Sequence, residues 1–217
     1  PDAPAAARGW SRHGRGCRAK PQLEQRGQQR RHADHVDMKV GVAAAPLAQA
    51  SAAVGERISA SVAATVAVVG HNTNLGIILL SAPLASAALS DEAGDLRERL
   101  AKVLAGLSVE DAKEAYAAIR QAIPGGLGEV PRHGVDAEPA ITLLEAMKAA
   151  EGHDRIAWNY SHDFADIFDL GLPRFREAER CGWPASFVTT SVYLGFLSTL
   201  PDTLIERKFG SPQAFEV

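Results

Sequence analysis

The chain has little cysteine, few aromatic residues, no excess of either charge and no long apolar run. Its two cysteines, Cys17 and Cys181, make neither a disulfide framework nor a CxxC pair, a usage that fits a reducing compartment. Aromatic residues are only 6% of the chain and no long stretch alternates apolar with polar residues, which argues against a β-sandwich. Lys and Arg number 23 against 26 Asp and Glu, and the net charge of −3 exerts no global pull toward nucleic acid or an anionic membrane. The longest apolar run, 75–89, is shorter than the ~20 residues of a membrane span, and Pro83 interrupts it. The first residues are polar and rich in Ala, Arg and Gly, unlike a signal peptide. No P-loop spacing occurs, so a Walker nucleotide site is excluded. These absences predict a cytoplasmic protein without a nucleic-acid or membrane partner and leave the oligomeric state open.

Alanine is abundant and the helical period is plain. In "SVEDAKEAYAAIRQAI", Val109, Ala112, Tyr116 and Ile119 share one face, while Glu110, Lys113, Glu114 and Arg120 share the other. Ser108 is a natural N-cap there, Glu110 and Asp111 suit the positive end of the helix dipole, and "PGG" at 124–126 stops the helix. Helices are also predicted over 52–69, 75–89, 95–105, 154–169 and 184–200, the last opening with Pro184 in its first turn. Asp202 would cap a short final helix. The expected fold is all-α, a single multi-helix, bundle-like domain covering 35–217.

Residues 1–34 differ, with many Arg, Gln, His and Gly and almost no apolar periodicity. Two readings of this irregular basic segment stay open: a disordered arm, or a helical pattern lost, as translation in a shifted frame would do.

Four polar clusters stand out. "GHNTNLG" (70–76) sets four polar residues against the most apolar stretch of the chain. It reads as an ordinary helix junction capped by Asn72 or Asn74, or as the floor of a site in which a helix N-terminus meets a phosphate. "PGGLGEV" (124–130) reads as a helix stop, and "PDTLIERKFG" (201–210) as dipole-complementing helix ends. "HADHVDMKV" (32–40) fits no zinc spacing and reads most simply as a solvated loop.

The order of these clusters along the chain resembles the triphosphoribosyl-dephospho-CoA synthase family. "HVDM" (His35, Asp37, Met38) is similar to that family's His-x-Asp-Met element and "GHNTNLG" to its Gly-x-Asn-Thr-His-Lys-Gly element. "PDTLIERKFG" resembles its closing Asp-Thr element, and "PGGLGEV", "TLLEAM" and "YSHDFADIFDLGLP" resemble its middle and late segments. Two departures are visible. "AKP" keeps Lys20 and Pro21 but "QLEQ" follows where Gly and an apolar residue are expected, and Asn74 and Leu75 stand where His-Lys is usual.

The resemblance implies transfer of the 5-triphosphoribosyl group of ATP to dephospho-CoA with release of adenine. The product is the precursor of a prosthetic group for an acyl carrier protein of a lyase or decarboxylase. ATP is then a substrate and Mg²⁺ an expected companion of its phosphates. It also implies roles: His35 as general acid or base, and Asp37 and Asp202 as metal ligands or as carboxylates that stabilise charge at the sugar carbon. Lys20, Gly70, Asn72, Thr73, Asn74 and Gly76 would hold ribose or phosphate oxygens, with Arg207 and Lys208 supplying positive charge. The segments around 35, 72 and 202 are expected to line one pocket. Two alternatives stay open: a related transferase acting on another acceptor, such as a pterin-like carbon-carrier precursor, and a non-catalytic helical remnant.

Overall fold

The computed structural model describes residues 41–71, 74–122 and 137–200. Every regular element among them is helical, and the fold is all-α. The helices are α1 (41–47), α2 (Val54–Val69), α3 (Leu75–Leu89), α4 (Leu96–Ala105) and α5 (Val109–Ala122). They continue with α6 (Leu143–Ala150), α7 (Arg155–Ser161), a π-helical segment (Asp166–Gly171), α8 (Leu172–Arg180) and α9 (Ala185–Leu197). No helix among the described residues is long and apolar enough to cross a membrane.

Neighbours in sequence pair as hairpins, α3 with α4, α6 with α7 and α8 with α9, while α2 lies along α5. The core forms where their apolar faces meet: Ile58 and Val62 from α2, Ile78 from α3, Leu100 from α4, Leu143 from α6 and Tyr160 from α7. α5 follows its sequence period. Ala112, Tyr116 and Ile119 are buried, and Glu110 and Arg120 are exposed. Ser108 caps it as expected, accepting from the Asp111 N–H at 3.1 Å, while the Asp111 carboxylate accepts from the Ser108 N–H at 2.8 Å. The other oxygen of Asp111 reaches across to the Gly55 N–H at 2.7 Å, so one carboxylate serves the first turns of two helices.

Pro83 sits inside α3 rather than ending it. A proline has no N–H, so the carbonyl four residues earlier, Leu79 O, loses its helical donor. The hydroxyl of Tyr160, fully buried on α7, donates to that carbonyl at 2.6 Å. Burial pushes the phenol's pKa up, with Asp111 adding to the effect, so the hydroxyl holds its proton at any ordinary pH. Tyr160→Phe is expected to cost about 1–3 kcal/mol, because a buried carbonyl is left unpaired. Pro83→Ala in the same chain restores the backbone donor. A double-mutant cycle in urea should therefore show a smaller loss for Tyr160→Phe in the Pro83→Ala background, whereas additive losses would break the link.

Two sequence expectations are corrected. The helix predicted over 154–169 is interrupted at 162–164, where Asp163 and Phe164 take left-handed φ angles of 49° and 55°. The Asn159 carbonyl there accepts the N–H groups of both His162 and Phe164, and the chain re-enters in the wider π register until Pro173. Tyr160 and Phe164 nonetheless keep their common face, with ring centroids 5.4 Å apart in the core. Pro184 lies at the extended N-cap position of α9, one residue before the first turn. The final helix predicted at Asp202, the "PGG" stop and the segment 1–34 lie outside the described residues.

Candidate functional site

The junction between α2 and α3 carries the part of the expected site that lies within the described residues. Gly70 ends α2 in the left-handed conformation, φ 78°, and its N–H donates to Val66 O at 2.8 Å. A Cβ at Gly70 would meet nothing within 4 Å, so glycine is required here for its backbone angle and not for close approach. Gly76 is the reverse case. A Cβ there would lie 3.1 Å from Ile156 Cδ1, and the missing side chain lets α3 press against α7.

Asn74 stands at the N-cap position of α3, yet its side chain does not cap that helix. It turns back toward α2, where Nδ2 donates to Thr65 Oγ1 at 3.2 Å, and the residue is only 5% exposed. The first turn of α3 holds no acidic side chain, so no carboxylate on α3 itself offsets its positive dipole end. Leu75, in the place where the resembled family has Lys, packs partly buried against the core.

Behind this junction, α2 buries a row of polar side chains, Arg57, Ser61 and Thr65, all on one face. Burial pulls the Arg57 guanidinium below the ordinary arginine pKa, although an arginine stays charged in any folded protein.

A second polar group lies along α7, the helix that Gly76 contacts, and the sequence reading did not find it. Arg155 grips Asp166 with two hydrogen bonds of 2.7 Å, and Asn159 Nδ2 donates to the same carboxylate at 2.9 Å. The Arg155 guanidinium also lies over the Trp158 ring, 3.7 Å from its centroid, and His162 stacks on Trp158 at 4.1 Å. Arg155 and Asp166 are eleven residues apart, a spacing that on a continuous helix would put them on one face but about 16 Å apart along its axis. They meet only because the chain breaks at 162–164. The one local signal was the run of polar residues "SHD" at that break.

Of the residues expected to form the site, the structure brings Gly70, Asn74 and Gly76 together at the α2–α3 junction. Lys20, His35, Asp37, Asn72, Thr73, Asp202, Arg207 and Lys208 lie outside the described residues, and with them the pocket expected from segments 35, 72 and 202. Among the described residues no group of three His, Cys, Asp or Glu side chains is placed to hold a metal ion. The described part presents the α3 N-terminus and an Arg155–Asp166 ion pair.

The described residues form an all-α fold, a class of helical protein distinct from the α/β nucleotide-binding folds. Residues 19–217 match the family described as ATP:dephospho-CoA triphosphoribosyl transferase, CitG, and the chain belongs to that family. The match begins upstream of residue 35 and takes in Lys20. No curated protein and no solved structure matches alongside it. The family's reaction uses ATP and dephospho-CoA as substrates and transfers the triphosphoribosyl group between them.

Proposed function

We propose that this chain itself carries out the family reaction, moving the 5-triphosphoribosyl group of ATP to dephospho-CoA and releasing adenine. The observation that carries this reading is the family match over nearly the whole chain, including the segments that hold all the candidate site residues. A hydroxyl oxygen of the acceptor forms a bond to C1′ of the ATP ribose while the bond from C1′ to the adenine nitrogen breaks. The acceptor's proton passes to a base, for which His35 is our candidate, and the leaving adenine nitrogen takes up a proton. Positive charge builds at C1′ in between, and the Asp37 and Asp202 carboxylates would stabilise it. Asn72, Thr73, Asn74 and the N–H groups at the head of α3 would hold ribose or phosphate oxygens, with Lys20, Arg207 and Lys208 matching the triphosphate charge. Mg²⁺ on Asp37 and Asp202 is part of the proposal, and no step above depends on it.

The product would serve as precursor of the prosthetic group of an acyl carrier protein in a lyase or decarboxylase. A reaction drawing on ATP and a coenzyme A precursor supports a cytoplasmic location for this reading. The test is direct. Purified chain given ATP and dephospho-CoA should release free adenine without ADP or AMP, followed by chromatography of the nucleobase. Absence of adenine with every CoA-like acceptor would favour a non-catalytic helical remnant.

A second reading keeps the chemistry and changes the acceptor. Leu75, packed on the core, removes a cation from the head of α3 where the family has Lys. A pterin-like carbon-carrier precursor is then the competing acceptor. Adenine release that depends on such a compound and not on dephospho-CoA would decide for it.

A further inference from the structure

α7 has only 7 residues, too few to hold a helix unaided, so its place is set by what it packs against. One side rests on α3. Ile156 Cδ1 lies 3.1 Å from where a Cβ of Gly76 would stand, and one turn further along α7 the Tyr160 hydroxyl donates to Leu79 O at 2.6 Å. Gly76 and Leu79 are likewise about a turn apart, so α7 lies along the first two turns of α3. A neighbouring stripe of the same helix grips the π-helical segment. Arg155 makes two hydrogen bonds of 2.7 Å to the Asp166 carboxylate. Asn159, one turn on, donates from Nδ2 to Asp166 Oδ2 and to Arg155 O, both at 2.9 Å. Asp166 is only 7% exposed, and apolar side chains of similar volume would fill the place of a buried ion pair at no loss of stability, so stability alone does not explain the pair. The circuit closes through α4, which packs on α3 and whose Arg97 pairs with Asp169 of the π-helical segment at 2.6 Å.

Arg155 and Ile156 are adjacent at the start of α7, so the turn that grips Asp166 is also the turn that presses on Gly76. We propose that Asp166, through Arg155, is a positioning residue for the head of α3: it fixes the first turn of α7, and that turn fixes the backbone from Asn74 to Ile77. This role rests on the transferase reading given above, in which the N–H groups at the head of α3 hold ribose or phosphate oxygens of ATP. Neither Asp166 nor Arg155 touches substrate in this scheme. They act by holding one helix against another, and a misplacement of about 1 Å is enough to cost on the order of 100-fold in rate.

The test uses the full chain and two readouts, amide hydrogen exchange over 78–82 in α3 and the separate KM values for ATP and dephospho-CoA in adenine release. Asp166→Asn keeps the shape of the side chain and removes the charge that Arg155 grips. It should raise exchange over 78–82 and lower kcat/KM for ATP about 10- to 100-fold, mainly through KM, with exchange in α2 and α5 and the KM for dephospho-CoA unchanged. Arg155→Lys, which keeps the cation and loses the two-pronged grip, should move both readouts in the same direction by less, and it decides the matter where Asp166→Asn fails to fold. An unchanged KM for ATP in a variant whose 78–82 exchange has risen overturns the positioning role. So does a fall in kcat with both KM values unchanged, the mark of a smaller folded fraction, or an equal rise of exchange across α2 and α5, the mark of general loosening. A wild-type chain that releases no adenine overturns the transferase reading and the positioning role with it. Wild-type activity with unaltered 78–82 exchange in both variants overturns the positioning role alone.

Discussion

Replacing Asn72 by alanine is expected to slow adenine release by two orders of magnitude or more, and Asp202→Ala by at least as much. A donor fixed where charge develops is typically worth about 10²–10³ in kcat, because inside a water-excluded site it needs no reorganisation at the moment of reaction. Asn72 is a candidate for that role by its place in the chain. In sequence it falls two residues after Gly70, whose left-handed backbone ends α2, and two before Asn74 at the head of α3. Asp202 is assigned to the other side of the reaction, the positive charge at the anomeric carbon, which a carboxylate stabilises and an alanine does not. Neither change should alter helicity by circular dichroism or lower the melting temperature by more than a degree or two. Full activity in both variants would remove these residues from the site.

The second large effect is on stability. Gly55→Ala is expected to destabilise the fold by about 3 kcal/mol, at the upper end of what overpacking usually costs. A Cβ at residue 55 would lie 2.6 Å from Asp111 Cα and 2.9 Å from both Asp111 O and Glu114 Cβ. Two of those three atoms are backbone, so relief requires moving α2 away from α5, not rotating one side chain. Separating the helices also lengthens the hydrogen bond from the Gly55 N–H to the Asp111 carboxylate, which joins the same two first turns. Alanine's better helix propensity offsets at most about 1 kcal/mol of the loss. Chemical denaturation should show the midpoint falling with an unchanged m-value. A Gly55→Ala protein as stable as the parent would mean that the α2–α5 contact is looser than described.

Much of the fold was legible because its signals are local. The 3.6-residue period marked α2, α3, α4 and α5, and Ser108 marked the start of α5 through a capping interaction that spans three residues. α6 was recognised only as the family-like segment "TLLEAM", although it carries the same kind of signal: Thr142 accepts from the Glu145 N–H at 3.3 Å while the Glu145 carboxylate accepts from the Thr142 N–H at 2.9 Å. The break in 154–169 was not legible. Apolar spacing continues through it, and only the backbone angles of Asp163 and Phe164 separate α7 from the π-helical segment. The site was legible in part. The Gly70–Gly76 element was singled out from its polar residues alone, but the reasons for its glycines differ from one to the next. Gly70 serves a backbone angle and Gly76 a close approach to Ile156.

By itself the sequence determined the helical class of this protein, most of its helix positions and the family to which it belongs. Each of these is written in periodicity, caps or short motifs that neighbouring residues carry together. Only the tertiary structure decided that Tyr160 would serve the carbonyl freed by Pro83, that Arg155 would meet Asp166, and that Arg57 would donate to the carbonyls of Leu47 and Ala50. Those pairings depend on how helices cross and where the chain breaks, and burial makes a lone polar group so costly that each had to find its partner at a distance the linear order does not show.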